Sequence, residues 1–426
     1  MVEPIRLAIV GCGGMGRRRL AGIAELKRAG EHAVDLVAVC DLNERNAEDL
    51  ADEAKVLLGA RPAVFTDLAA MTRQTDALEA AGCTTDSGSH HRVAADLLAL
   101  GLHTLCEKPL ALTIRGCDRI MAAAERSGKI LSVAENYRRD PINRLARALI
   151  ADGAIGAPQF VMETAVRGRD SVIITPWRRQ KLTGTITLDA GVHNADILQY
   201  YLGDAVSAFG QTRLYEPTRV VRETAGPGGF YAGWAANLPP TVEATGEDAI
   251  FGLITFAAGA LGQWVEHHAG HGLPFRHRML FGTRGSLAVP EDRTGQPIRL
   301  TLDDGFDAAD ERVLDYAPSY RLDRVATALF GEERPWTYDF DFPTTDRKLI
   351  ALEYAELADC IRTGAAPEVD GATGKRAVAL VYALFESHVA NRPVTIAEVE
   401  SGAVDAYQHE IDAHLGLIPK PAGADA

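Results

Sequence analysis

The chain has 426 residues, 47% hydrophobic and 24% charged, and its 44 Lys and Arg against 58 Asp and Glu leave a net charge of −14 with histidine neutral. Such proportions exclude a disordered polymer, and a field of that sign disfavours a nucleic-acid phosphate backbone as the main partner. No apolar run approaches the ~20 residues of a membrane span, and Cys12, Cys40, Cys83, Cys106, Cys117 and Cys360 include no Cys-x-x-Cys pair, so reduced thiols and a cytoplasmic location without membrane contact are expected.

The first ten residues, MVEPIRLAIV, run into a strand at 5–10 with no cleavable leader expected ahead of it. GCGGMG follows, with Gly11, Gly13 and Gly16 in G-x-G-x-x-G spacing around Gly14 and Met15, and then a helical pattern of Leu20, Ile23 and Leu26. The physical demands on that motif differ by position. Gly11 makes a tight turn, Gly13 lacks the Cβ that would hold a pyrophosphate away, and Gly16 lets helix and strand approach. The helix N-terminus offers unpaired N–H groups to the phosphates. The second strand, DLVAVC, ends at Asp41, near the usual ~20-residue offset of the acid that binds the adenosine ribose. A carboxylate there favours NAD over NADP, a preference that the neighbouring Arg45 tempers. Alternation of strand and helix continues to residue 140, with a polar loop at Thr84 and Thr85, a strand 103–106 ending in Glu107-Lys108-Pro109, a helix from about 113 to 126, and a strand LSVAENY. This is a doubly wound α/β domain with a parallel sheet.

Three segments in this order, GCGGMG, Cys106-Glu-Lys-Pro109 and Asp189-Ala-Gly-Val-His193-Asn-Ala-Asp196, resemble the glucose–fructose oxidoreductase, inositol dehydrogenase and rhizopine-catabolism family, Gfo/Idh/MocA. The resemblance covers residues 5 to about 395. It implies an N-terminal Rossmann domain and a C-terminal α/β domain with a large, open, mostly antiparallel sheet, divided here as 1–140, 141–395 and a C-terminal helix and loose tail at 396–426. It also implies oxidation of a secondary hydroxyl of a sugar or cyclitol with NAD, in a homo-oligomer (dimer or tetramer). Lys108, Asp189 and His193 resemble the family's catalytic lysine, aspartate and histidine, and Glu107 accompanies Lys108 beside the cofactor. Thr84, Thr85 and His90 fall on the family's cofactor loop, although Asp86 stands where many members have proline, and the glycine run before Asp189 is reduced to Gly184-Thr-Ile-Thr-Leu. The resemblance leaves two alternatives to net oxidation. One is NAD-dependent glycoside cleavage through transient ring oxidation, with Tyr137, His90 or a histidine near 267 as an extra base. The other is a nicotinamide-binding regulator without turnover.

Read as residues, Asp189 and His193 are four apart in a segment that continues as a helix, so they share a face. Histidine suits a hydroxyl proton at neutral pH, and a carboxylate can orient the ring. From 159 onward, runs such as PQFVMETAVRG and EDAIFGLITFA read as antiparallel strands. Trp177 can stack on a sugar face, and Arg178 and Lys181 can bind hydroxyls or an anion, with Tyr137 and Arg138 lining the same cleft. His267, His268, His271 and His277 cluster in sequence, but zinc needs three or four converging groups, so no metal is expected there. Residues 217–245 and 303–345 read as long insert loops, and 349–362 as an amphipathic helix.

Overall fold

The computed structural model describes residues 3–172, 175–222 and 238–418; the tail PKPAGADA and much of the 217–245 loop lie outside the described residues. The chain forms two compact units, one of residues 1–136, 324–331 and 343–375, the other of 137–323, 332–342 and 376–426. No helix among the described residues is long and apolar enough to cross a membrane.

In the first unit, β1 (Ile5–Val10), α1 (Gly14–Arg28), β2 (Val34–Cys40), α2 (Glu44–Leu58), β3 (Ala63–Phe65), α3 (Leu68–Gln74), β4 (Ala80–Cys83), α4 (His90–Ala99), β5 (His103–Glu107), α5 (Ile114–Ser127) and β6 (Leu131–Ala134) alternate as expected. The six strands are parallel in the order β3-β2-β1-β4-β5-β6. Their short, continuous apolar runs are what a parallel sheet covered on both faces requires, and β4 and β6 are buried throughout. The order reverses beside β1, so the carboxyl ends of β1 and β4 flank the crevice where such sheets take ligands. Local chemistry starts the helices. Asn43, Asp67 and Thr113 accept backbone N–H bonds at the N-termini of α2, α3 and α5.

The strand expected through Tyr137 stops at Ala134. Asp140 caps the next helix by accepting from Ile142 N, and Pro141 fixes its first turn, so the chain must reverse in a 3₁₀ turn at Tyr137–Arg139 first. The helix expected over 349–362 is longer, Phe342–Thr363. Its Ile350 packs where a Cβ on Gly22 would stand 2.2 Å from Ile350 Cγ2, so only glycine lets α1 lie this close.

The second unit runs through α6 (Pro141–Ala151), β7 (Pro158–Gly168), β8 (Arg179–Gln180), β9 (Gly184–Thr185), α7 (Ile186–Asp189), α8 (Gly191–Leu202), β10 (Ala205–Arg213), β11 (Thr218–Val220), β12 (Thr241–Glu243), β13 (Ala249–Phe256), β14 (Leu261–Gly270), β15 (Phe275–Gly282), β16 (Gly285–Val289), β17 (Arg299–Leu302), β18 (Asp307–Ala308) and β19 (Val394–Thr395). Nine of these strands form one mixed sheet, β18-β17-β16-β15-β7-β14-β13-β10-β19, antiparallel except where β14 meets β7. The insert at 217–245 contributes the two-stranded ribbon β11-β12. Alternation along the strands leaves one face apolar yet open: Phe209 opposite Leu253, and Leu261, Phe160 and Phe281 in register across three strands. On that face Leu253 is 58% and Leu261 53% exposed.

On the buried side a charged network ties helices to sheet. Arg278 on β15 donates to Glu163 on β7 (2.5 Å) and to Asp292 (2.7 Å), and Asn143 on α6 donates to Asp292 (2.8 Å) while accepting from Tyr201 of α8. Burial alone would raise the Asp292 carboxyl, but the charges of Arg278 and Arg276 outweigh it and hold it well below the usual carboxylate range. A depressed folded pKa stabilises above the unfolded value of ~3.9 and is lost as pH falls from there toward the folded value. Urea melts between pH 5 and 2 should therefore show stability falling below about pH 4, with a shallower slope in Asp292→Asn. An unchanged slope would remove Asp292 from the account.

Candidate active site

In the first unit the glycine turn is built in three different ways. Gly11 sits at φ +98°, and a Cβ there would meet the Thr84 and Thr85 backbone at 2.7 Å. A Cβ on Gly16 would stand 2.3 Å from Gly11 O. On Gly13 it would meet nothing within 4 Å. The first two glycines are thus required by the protein itself, whereas the third faces open space, as a cradle for a pyrophosphate would. The N-terminus of α1 fits the same purpose: unlike α2, α3 and α5 it has no side chain capping it, and its first turn carries no acid. Its N–H groups at Gly14, Met15 and Gly16 are those that would hold NAD phosphates. Gly13→Ala should therefore leave the melting temperature unchanged and weaken NAD binding by about tenfold or more, measured by fluorescence titration. A loss of stability without loss of affinity would assign Gly13 to the scaffold.

Thr84 fastens this turn, donating from Oγ1 to Val10 O (3.0 Å) and Gly11 O (2.6 Å). Asp41 is half-buried at the end of β2 and accepts from Cys12 N (2.7 Å) and Asn43 N (2.8 Å), which fixes its carboxylate beside the glycines. Thr85 accepts from Ser89 Oγ (2.8 Å). His90 is 1% exposed and turns inward, with Nδ1 2.9 Å from Pro109 O and Nε2 3.2 Å from Thr85 O. It therefore ties the Thr84–Thr85 loop to the turn after Lys108. Glu107 is buried and accepts from Arg19 (2.7 Å at Nε), which also pairs with Glu353. Lys108 follows directly, half-buried at the carboxyl end of β5.

In the second unit α7 ends at Asp189 and α8 begins at Gly191, with Ala190 helical between them, so Asp189 and His193 stay nearly one turn apart. Gly191 allows the buried Trp264 ring to within 3.5 Å of where its Cβ would be, which seats α8 on the sheet. His193 lies face to face on Tyr137, ring centroids 4.2 Å apart and planes 4° from parallel. Arg293 donates to Tyr137 Oη at 3.3 Å and holds a left-handed backbone at φ +66°. Asp189 is buried and accepts from Arg178 Nε (2.8 Å); Arg178 also donates to Thr175 Oγ1 and lies over the Trp177 ring. Arg138 makes a two-pronged pair with Asp196, and Lys181 donates to Glu410 (2.8 Å) above the Tyr407 ring. The three basic side chains expected around substrate thus each hold a protein carboxylate. The four histidines do not converge. His268 pairs with Glu266 and His271 with Glu216, while His267 leans on Tyr215 and His277 on Phe275.

Residues 5–135 match the oxidoreductase family with an NAD-binding Rossmann fold, and residues 147–396 match that family's C-terminal alpha/beta domain. The chain belongs to the Gfo/Idh/MocA oxidoreductase family. D-apiose dehydrogenase of Paraburkholderia graminis is 24% identical over 94% of this chain and 92% of its own length. An inositol 2-dehydrogenase of Klebsiella pneumoniae is 28% identical over 47% of this chain and 55% of its own. A levoglucosan dehydrogenase solved with NADH shares the fold, with a TM-score of 0.72 at 20% identity over 92% of this chain and 99% of that one. As a Gfo/Idh/MocA member this protein is an NAD(P)-dependent oxidoreductase. Within that frame the sequence reading passed over Arg19 and Arg293. A signal existed for Arg19, which shares the buried stripe of Gly16, Ile23 and Leu26 on α1. Arg293 comes from a loop with no periodicity to mark it.

Proposed function

We propose that the protein is an NAD-linked dehydrogenase that oxidises a secondary hydroxyl of a sugar or cyclitol. The observation that carries the reading is His193, held flat on Tyr137 in the segment that also presents Asp189. The names of the relatives, which act on apiose, inositol and levoglucosan, support the substrate class. When bound, the cofactor supplies a nicotinamide ring that accepts hydride. The chain's own residues supply position and proton handling. His193 takes the hydroxyl proton, its ring orientation set by the Tyr137 face. Lys108 donates to the alkoxide that develops as the proton leaves and offsets its charge. Asp189, fixed by the bond from Arg178, orients the substrate or the imidazole. Asp41 binds the adenosine ribose and disfavours a 2′-phosphate.

The test is NAD with a panel of free sugars, cyclitols and aryl glycosides, following nicotinamide absorbance and aglycone release together. Steady NADH formation with one sugar class supports the reading. Aglycone release without NADH build-up would replace it with redox-assisted glycoside cleavage, and tight NAD binding without turnover would point to a regulator. The open apolar face of the nine-stranded sheet is where we place a second copy of the chain. Leu253→Glu should then lower the sedimenting mass, and a parent protein that sediments as a monomer would overturn this.

A further inference from the structure

Three side chains in the first unit come together outside the proton chemistry proposed above. Cys83 ends β4, Cys106 is its register partner on the adjacent parallel strand β5, and His90 opens α4. Residues paired in register project to the same face of a sheet. The two Sγ atoms and a ring nitrogen of His90 all lie within 4.8 Å of one another. All three residues are buried, and neither thiol is bonded in a disulfide.

The surroundings of His90 supply a second, independent observation. Both ring nitrogens face carbonyl oxygens, Pro109 O at 2.9 Å and Thr85 O at 3.2 Å. A carbonyl only accepts, and a neutral imidazole has one N–H. One contact is then a hydrogen bond, and the other sets a ring lone pair against an oxygen in a buried place. A second proton or a metal cation on that nitrogen removes the conflict.

We propose that Cys83, Cys106 and His90 form a binding site for a thiophilic divalent cation of the zinc type. The ligand set is two sulfurs and one imidazole, the soft-to-borderline combination such ions select. With Zn–S near 2.3 Å and Zn–N near 2.0–2.1 Å, tetrahedral ligands stand roughly 3.5–3.8 Å apart, so the three atoms need to close by at most about 1.3 Å. Binding releases the two thiol protons to solvent, and two thiolates balance the 2+ charge, leaving no net charge buried. The shorter contact suits Nδ1–H donating to Pro109 O, the outer-shell bond that orients a ligating histidine, and leaves Nε2 for the metal. An ion there would pin the β4–α4 loop, through Cys83 and His90, to the strand that carries Lys108.

The probe is Co²⁺, titrated into reduced, chelator-stripped full-length protein. We expect a thiolate-to-cobalt charge-transfer band that saturates at one equivalent and is abolished by one equivalent of Zn²⁺. Cys83→Ser and Cys106→Ser should each halve or remove the band, His90→Gln should weaken affinity by tenfold or more, and Cys117→Ser should change neither. Absence of a saturable band in the reduced parent protein, or a full band in Cys83→Ser, overturns the proposal. Should the cysteine variants fail to fold, native mass spectrometry of the unaltered protein still decides it. One chelatable zinc per chain supports the site. No bound zinc after addition of one equivalent, or a Cys83–Cys106 disulfide that forms in place of metal binding, refutes it.

Discussion

Lys108→Ala and His193→Ala should each lower kcat by roughly 10²–10⁴-fold while the protein still melts cooperatively, because in the proposed mechanism each removes a group that acts on the proton or the alkoxide in the transition state. The distinction from a mere binding residue lies in which constant moves. Loss of a contact equal in ground and transition states raises KM and spares kcat; loss of a proton acceptor or of alkoxide stabilisation lowers kcat. His193 is half-buried at the third position of α8, where its neighbours Val192 and Asn194 face the core. Truncation to alanine therefore removes the ring without opening the core. Tyr137→Phe keeps the ring face that meets His193 at 4.2 Å and should stay near the parent, whereas Tyr137→Leu should lose rate with it. Wild-type kcat in either alanine variant would end the proposed acid–base assignment.

Arg19→Met should cost about 3–5 kcal/mol of stability, the usual penalty for leaving a buried charge without its partner. Arg19 is 2% exposed, Glu107 6% and Glu353 0%. Burial would lower the affinity of this guanidinium for its proton, but the charges of Glu107 and Glu353 outweigh it and hold Arg19 firmly protonated. Without the cation, two carboxylates face each other in a space that water does not reach, beside the buried Tyr354 ring. Denaturant melts measure the loss, and the triple variant Arg19→Met, Glu107→Gln, Glu353→Gln should recover much of it, since no ion then remains unpaired. A small effect in the single variant would mean that solvent enters the network. The consequence extends to chemistry, because Glu107 immediately precedes Lys108 and its fixed carboxylate holds that end of β5.

Much of the first unit was legible because its signals are local. A parallel sheet needs short apolar runs, and a phosphate turn needs glycines at set offsets, so β1, the glycine turn and Asp41 could be read within forty residues. The positions of Lys108, Asp189 and His193 came from a resemblance in motif order, since a lysine after a strand and a histidine on a helix are each ordinary alone. Pairing was not legible. Nothing in the segment WRRQK says that Arg178 turns to Asp189 or that Lys181 meets Glu410, because partners many residues distant leave no spacing to read. The four histidines near 267 show that nearness in sequence does not bring side chains together. They are close in sequence, but β14 ends at Gly270, so His267 and His271 do not share a strand. Cys83, His90 and Cys106 lie on three successive elements and meet only because parallel pairing sets β4 beside β5.

The helix Phe342–Thr363 closes a unit that opens at the first strand. Arg18 binds Asp346 through two nitrogens, Arg19 binds Glu353, and Gly22 receives Ile350. Arg19 and Glu353 are 334 residues apart in the chain. At about 5–20 residues per second, a ribosome takes on the order of 15–70 s to travel that distance. Through most of that interval α1 and Glu107 have been made but Glu353 has not. The nucleotide-binding unit of this protein is thus finished late in synthesis, after residues 137–323 and 332–342 of the other unit have been made.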